Sequence, residues 1–151
     1  MTTALTAAPI AYVTDGGLET DLIFHHGVDL PQFAAYPLLT RPGGRDLLRA
    51  YYLGYADVAR RAGAGLLLET PTWRANPDWG ARLGHDAAHL DAVNRDAVAF
   101  ARDLAAGLGD LADVRVVGMV GPRGDGYAAS EAADPEDARA YHAPQVRASS
   151  G

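Results

Sequence analysis

Three short apolar runs, each stopping abruptly at turn-forming or polar residues, divide the chain. The first, IAYV at residues 10–13, runs into Asp15, Gly16 and Gly17, a sequence that favours a tight turn. The second, LLLET at residues 66–70, is apolar at consecutive positions, the pattern of a parallel strand covered on both faces by helices. The third, residues 114–120, carries Val114, Val116, Val117, Met119 and Val120 and is predicted as another buried strand. It ends in the glycine-rich turn GPRGDGY at residues 121–127.

Between these runs the period changes to that of a helix. Leu18, Leu22 and Ile23 share one side of a short helix, and residues 27–44, rich in Pro and Gly, are predicted as a long loop. Over residues 46–62, Leu47, Leu48, Tyr51, Tyr52, Tyr55, Val58 and Ala59 recur at helical spacing, and Gly63 and Gly65 stop the pattern. Asn76, Pro77 and Asp78 supply a capping side chain, a first-turn proline and an acid at the positive end of the next helix. A longer helix over residues 86–108 buries Leu90, Val93, Ala97, Phe100, Ala101, Leu104 and Leu108. Asp134, Pro135, Glu136 and Asp137 repeat the cap-and-proline start for a last helix through Tyr141 and His142.

Strands alternating with helices predict an α/β fold with a parallel sheet and right-handed crossovers. Whether such a sheet is open or closed, the chemistry sits in the loops after the carboxyl ends of its strands. Three such mouths line up here: Asp15-Gly16-Gly17, Glu69-Thr70-Pro71-Thr72-Trp73 and Gly121-Pro122-Arg123-Gly124-Asp125. Their carboxylates, hydroxyls and close-approaching glycine backbones suit a small zwitterionic or polar molecule.

Composition then removes several chemistries. The 151 residues are 48% hydrophobic and 21% charged, as in one soluble globular domain. A formal charge of −6 does not suit nucleic acid or an anionic membrane, and no window approaches the ~18 apolar residues of a membrane span. The amino-terminal stretch lacks the basic and apolar regions of a signal peptide, so a soluble, cytoplasmic protein is expected. All 13 basic side chains are Arg, which excludes Schiff-base, pyridoxal-phosphate and Walker-loop chemistry. There is no Cys, hence no disulfide, thiolate nucleophile or sulfur-based zinc site.

The motifs in order are DGG after the first strand, YY and then AGAG before the second, ET.T at its end followed by NPDW, and GP after the third. Together they resemble the amino-terminal part of the homocysteine S-methyltransferases, over nearly the whole chain. The resemblance implies the first three to four βα units of a (β/α)8 TIM-type barrel, with residues 1–151 as an amino-terminal fragment of a homocysteine-binding domain. It also implies methyl transfer from a sulfonium or betaine-type donor to the thiol of homocysteine, as in methionine synthesis. Zinc held by cysteines on later strands would activate that thiol. Asp15 and Gly16 match groups that hold the amino-acid end of homocysteine, and Thr70 matches a further contact. The substrate-binding set read this way is Asp15, Gly16, Gly17, Glu69 and Thr70. Glu19, Trp73, Arg74 and Trp79 stand where relatives vary and point to donor preference.

A barrel of this kind takes ~250 residues, and YHAPQV breaks off into RASSG where the family continues to a fourth strand. The expectation is therefore a truncated chain that lacks the zinc ligands and is inactive alone, with open sheet edges inviting self-association. Plainer readings stand beside this one. Asp15 caps the short helix, the Trp pair packs rather than binds, and His85, Asp86 and His89 imitate a metal motif without a third ligand. His25 and His26 are surface groups. A non-catalytic binding or assembly module, and a phosphate-binding domain using the GPRGDGY turn, are the alternative functions.

Overall fold

Leu66 and Leu68, each 1% exposed, anchor the middle strand of a three-stranded parallel sheet. The computed structural model describes residues 10–124 and 134–150. Within them, β1 (Tyr12–Thr14), β2 (Gly65–Glu69) and β3 (Val114–Val117) lie in the order β1-β2-β3. The helices are α1 (Leu18–Phe24), α2 (Gly44–Ala62), α3 (Pro77–Arg82), α4 (Ala87–Ala106) and α5 (Pro135–Ser149).

Register assigns the two faces of the sheet. Val13, Leu66 and Val114 are partners, and with Leu68 and Val116 they pack into the core formed with α2 and α4. Thr14, Leu67 and Arg115 are partners on the opposite face, where Glu69 and Val117 also pair, and none of these five is fully buried. The two long helices touch each other: Arg45 Nη2 donates to both carboxylate oxygens of Asp96 at 2.6 Å, and the Arg45 and Arg49 guanidinium groups lie over the Phe100 ring. Both crossover helices therefore cover one face of a sheet whose spatial order follows the chain. That is the arrangement of a barrel wall, since a doubly wound sheet reverses its order and takes helices on both faces. Among the described residues the sheet is a small one of three parallel strands and does not close on itself.

The predicted helices form where their caps stand. Asn76 Oδ1 accepts from Trp79 N–H, Asp86 Oδ1 from His89 N–H, and Asp134 Oδ1 from the amides of Glu136 and Asp137. Gly63 ends α2 in the left-handed conformation.

Three expectations need correction. Residues 27–44 are not a plain loop but contain two one-turn 3₁₀ helices, Pro31–Phe33 and Tyr36–Leu39. Ala34, Ala35, Tyr36 and Leu38 are at most 1% exposed and pack with the helix layer. The approach is close enough that a Cβ on Gly44 would lie 2.1 Å from the Leu38 carbonyl oxygen. Next, the third strand ends at Val117 and is half-buried, with Val120 38% exposed, because helices cover only one face of it. The same one-sided cover leaves Leu67 and Glu69 half-buried on β2. Of the glycine-rich turn, Asp125, Gly126 and Tyr127 lie outside the described residues.

Candidate active site

The carboxyl ends of β1 and β2 open into one cleft of about 250 Å³. All five residues expected from the sequence, Asp15, Gly16, Gly17, Glu69 and Thr70, line it. So do Glu19, and a wall of Phe33, Tyr52, Trp73 and Met119, Trp73 from the second mouth itself and the others from three further segments. Gly121, at the third mouth, lies against this wall: a Cβ there would be 2.0 Å from the Trp73 carbonyl oxygen.

Asp15 does not cap α1. The cap position is Gly17, which makes no side-chain bond. The Asp15 carboxyl is instead partly buried beside Glu69, with Oδ1 buried and reached by no hydrogen bond of normal geometry. Burial first, and the Glu69 charge second, push its pKa up to about 7, while the nearby Tyr51 hydroxyl favours the anion. Burial also raises the Glu69 pKa. Glu19, 9% exposed, is raised by burial and lowered by the Arg74 guanidinium. Gly16 lets the Tyr55 hydroxyl approach closely: a Cβ there would come within 2.6 Å of it, and the tyrosine ring would have to shift.

Thr70 lines the cleft with its hydroxyl already half used. The Thr72 hydroxyl donates to Met119 O at 2.7 Å, so across the 2.7 Å gap between the two hydroxyls the proton comes from Thr70. Thr70 Oγ1 also accepts from Met119 N–H at 2.9 Å. One lone pair remains, and towards a ligand Thr70 can accept but not donate. Gln145 of α5 completes this knot, donating from Nε2 to Thr72 O at 2.8 Å and to Asn94 Oδ1 at 3.2 Å. Replacing the fully buried Thr72 by Val should leave the Thr70 hydroxyl without its acceptor and cost about 1–3 kcal/mol, measurable by urea unfolding.

Phe33 was invisible to pattern reading because its position depends on backbone strain. Gln32 and Phe33 both have left-handed φ, 57° and 58°, a conformation costing about 1–3 kcal/mol for each such residue. The result sets the Phe33 ring edge-on to Trp73, centroids 6.2 Å apart. The Trp pair divides: Trp73 faces the cleft, whereas Trp79 is 7% exposed and donates Nε1–H to Gly124 O at 3.1 Å, a packing role.

The donors present do not fit zinc. Among the described residues no three of His, Cys, Asp or Glu cluster, and the sequence has no Cys. His85 and His89 stack with ring centroids 4.0 Å apart, and His85 Nδ1 pairs with the Tyr36 hydroxyl at 2.8 Å. Burial and the neighbouring imidazole lower the His85 pKa. His25 and His26 are exposed and meet Asp21. In the third mouth, Arg123 lies 3.6 Å from Asp78 and over the Tyr141 ring, so the described part of that turn is engaged in packing. No described helix is long and apolar enough to cross a membrane.

The fold and cleft define an α/β protein with a small polar cleft at the carboxyl ends of parallel strands, lined by both carboxylates and aromatic rings. The homocysteine S-methyltransferase family model matches residues 12–151, and the chain belongs to that family. Two crystal structures of the homocysteine methyltransferase MmuM from Escherichia coli resemble it. The metallated form is 25% identical with a TM-score of 0.65, covering 94% of this chain and 50% of that one. The oxidized form is 27% identical with a TM-score of 0.70, covering 97% and 51%. The chain thus spans about half the length of these solved relatives. No curated protein matches it.

Proposed function

We propose that this chain is the homocysteine-recognition part of a homocysteine S-methyltransferase. The observation that carries the reading is the composition of the cleft: three carboxylates and a threonine that can only accept line it together with aromatic rings and a thioether. An α-ammonium group fits between Asp15 and Glu69, with the remaining Thr70 lone pair beside it. The substrate carboxylate meets the backbone of Gly16 and Gly17, and its sulfur arm runs towards Trp73 and Met119. The donor is a sulfonium or quaternary ammonium compound. Homocysteine sulfur, its thiol proton given up to solvent, forms a bond to the methyl carbon while the carbon–onium bond breaks, and a neutral sulfide or amine leaves. Among the described residues no group of three His, Cys, Asp or Glu could hold a thiol-activating metal, and the sequence has no Cys to do so. The chain alone binds but does not transfer.

Calorimetric titration with L-homocysteine tests this directly, and the absence of any binding heat at millimolar ligand would count decisively against it. The pH dependence follows from Asp15. Only the anion attracts ammonium, and its pKa of about 7 means that ionisation rises from roughly a tenth at pH 6 to nine-tenths at pH 8. Affinity should therefore increase about tenfold over that interval. A flat profile would remove Asp15 from the ammonium contact.

A second reading, an assembly module, is favoured by the sheet: among the described residues β1 and β3 each pair on one side only. Sedimentation at micromolar concentration distinguishes it, since a clean monomer contradicts association through those edges.

A further inference from the structure

Thr72 does not line the cleft, yet it decides what Thr70 offers there. The single Thr72 hydroxyl proton goes to Met119 O at 2.7 Å, so its oxygen receives the Thr70 proton across the other 2.7 Å contact. Thr70 Oγ1 in turn accepts from Met119 N–H at 2.9 Å, and the two threonines thereby clasp the N–H and C=O of one residue beyond β3. Backbone bonds from Thr70 N–H to Val117 O at 2.9 Å and from Thr72 N–H to Thr70 O at 2.8 Å fix the path between them. From α5, Gln145 Nε2 donates to Thr72 O at 2.8 Å and reaches Met119 O at 3.4 Å and Asn94 Oδ1 at 3.2 Å. Asn94 is itself tied, donating from Nδ2 to Ala75 O at 3.0 Å and to Leu90 O at 2.8 Å. Thr70, Thr72, Asn94 and Gln145 are each at most 4% exposed, so solvent does not compete for these bonds.

We propose that Thr72 is a positioning residue that sets the choice of the cleft between a 2-amino acid and the corresponding 2-oxo acid. With the Thr70 proton drawn away from the cleft, the groups around the second carbon of the ligand are acceptors: the Asp15 and Glu69 carboxylates and the remaining Thr70 lone pair. An ammonium group donates to all of them. A ketone oxygen in the same place meets only lone pairs and leaves them unpaired, the mismatch that a site built for a donor rejects most strongly. A freed Thr70 proton would turn towards that ketone and reward it. Thr72 acts through Thr70 without touching the ligand. The assignment rests on the function proposed above, since it names the ligand class at the same cleft.

The test compares Thr72→Val, which removes the hydroxyl at nearly constant shape, with Thr72→Ser, which restores it. The probes are L-methionine, the product of such a transfer, and the 2-oxo acid of the same carbon skeleton, titrated calorimetrically at pH 8. They differ only at the amine and carry no thiol to oxidise. Wild type should prefer the amino acid at least about 30-fold. Thr72→Val should weaken methionine about fivefold and strengthen the oxo acid about threefold, so the preference falls roughly 15-fold, and Thr72→Ser should bring it back to within about twofold of wild type. Loss of packing alone would weaken both ligands together. Without ligand, the Thr70 hydroxyl proton should exchange slowly enough to be seen by proton NMR, and it should disappear in Thr72→Val. Should that variant fail to fold by circular dichroism, Thr72→Cys replaces it, because a thiol is similar in size and too weak an acceptor to hold the proton. An unchanged preference, an equal weakening of both ligands, a failure of serine to restore the preference or a hydroxyl proton that stays protected would each overturn the proposal. If wild type binds neither probe, the homocysteine reading falls and the choice of ligand with it, whereas binding with an unchanged preference removes the role of Thr72 alone.

Discussion

Replacing Asp15 by Asn should make the chain more stable and its cleft blind to homocysteine. The two effects share one cause, a carboxylate held against another carboxylate in a partly buried position. Its pKa is about 7 in the folded chain against 3.8 as the ordinary value, so between those limits the folded state holds the proton more tightly than the unfolded one. Stability from this group is complete below pH 3.8 and is lost as pH rises through about 7. An amide never ionises and escapes that loss. After discounting for solvent screening, the gain is about 1–2 kcal/mol at pH 8 and vanishes near pH 4, which urea unfolding at both pH values would show. Binding moves the other way: losing the charge-assisted contact to ammonium should weaken homocysteine about 10- to 100-fold in calorimetry. A variant that is both less stable and fully competent would refute the assignment of Asp15.

The second large effect is expected at Gly121. Alanine there would place its Cβ 2.0 Å from the Trp73 carbonyl oxygen and 2.6 Å from the indole. The nearer atom belongs to the backbone, so no rotamer change relieves the clash, and the mouths of β2 and β3 must separate. That motion pulls on the Thr70–Thr72–Met119 hydrogen bonds as well. A loss of about 2–4 kcal/mol is expected, read as a lowered thermal midpoint together with a shifted tryptophan emission. Gly124→Ala, at a left-handed position with open space around its Cβ, should cost less, and the order of the two distinguishes close packing from backbone conformation.

The parts of this fold that the sequence made legible are those whose signal is local or periodic. The caps Asn76, Asp86 and Asp134 each accept the backbone amide bonds that their residue types promise, and α4 buries the face its spacing marks, whereas α2 buries Leu48, Tyr51, Tyr52 and Ala59 of its marked face but leaves Val58 41% exposed, on the side that no other described element covers. Asp15, Gly16, Gly17, Glu69 and Thr70 could be placed together because each ends or follows a strand in a parallel sheet. The aromatic wall could not. Phe33 reaches the cleft through two consecutive left-handed residues that no propensity suggests, and Tyr52 reads simply as a core position of α2. Tyr36 and Leu38 were hidden for a different reason: a one-turn 3₁₀ helix is too short to show a period, and Pro and Gly around it suggest exposure. The shortened third strand shows that an apolar run predicts burial only where both faces find cover.

Gln145 gives the last helix a significance beyond packing. Its amide holds the Thr72 carbonyl that turns the chain out of β2, and it does so from near the end of α5, one residue after a helix-interior proline. Unwinding of that helix from its terminus would strip the Thr72 carbonyl and the Asn94 side chain of a donor at once. Local opening at the far end of the chain and the shape of the ligand cleft are thus one cooperative event, and amide hydrogen exchange in α5 would slow when the cleft is filled.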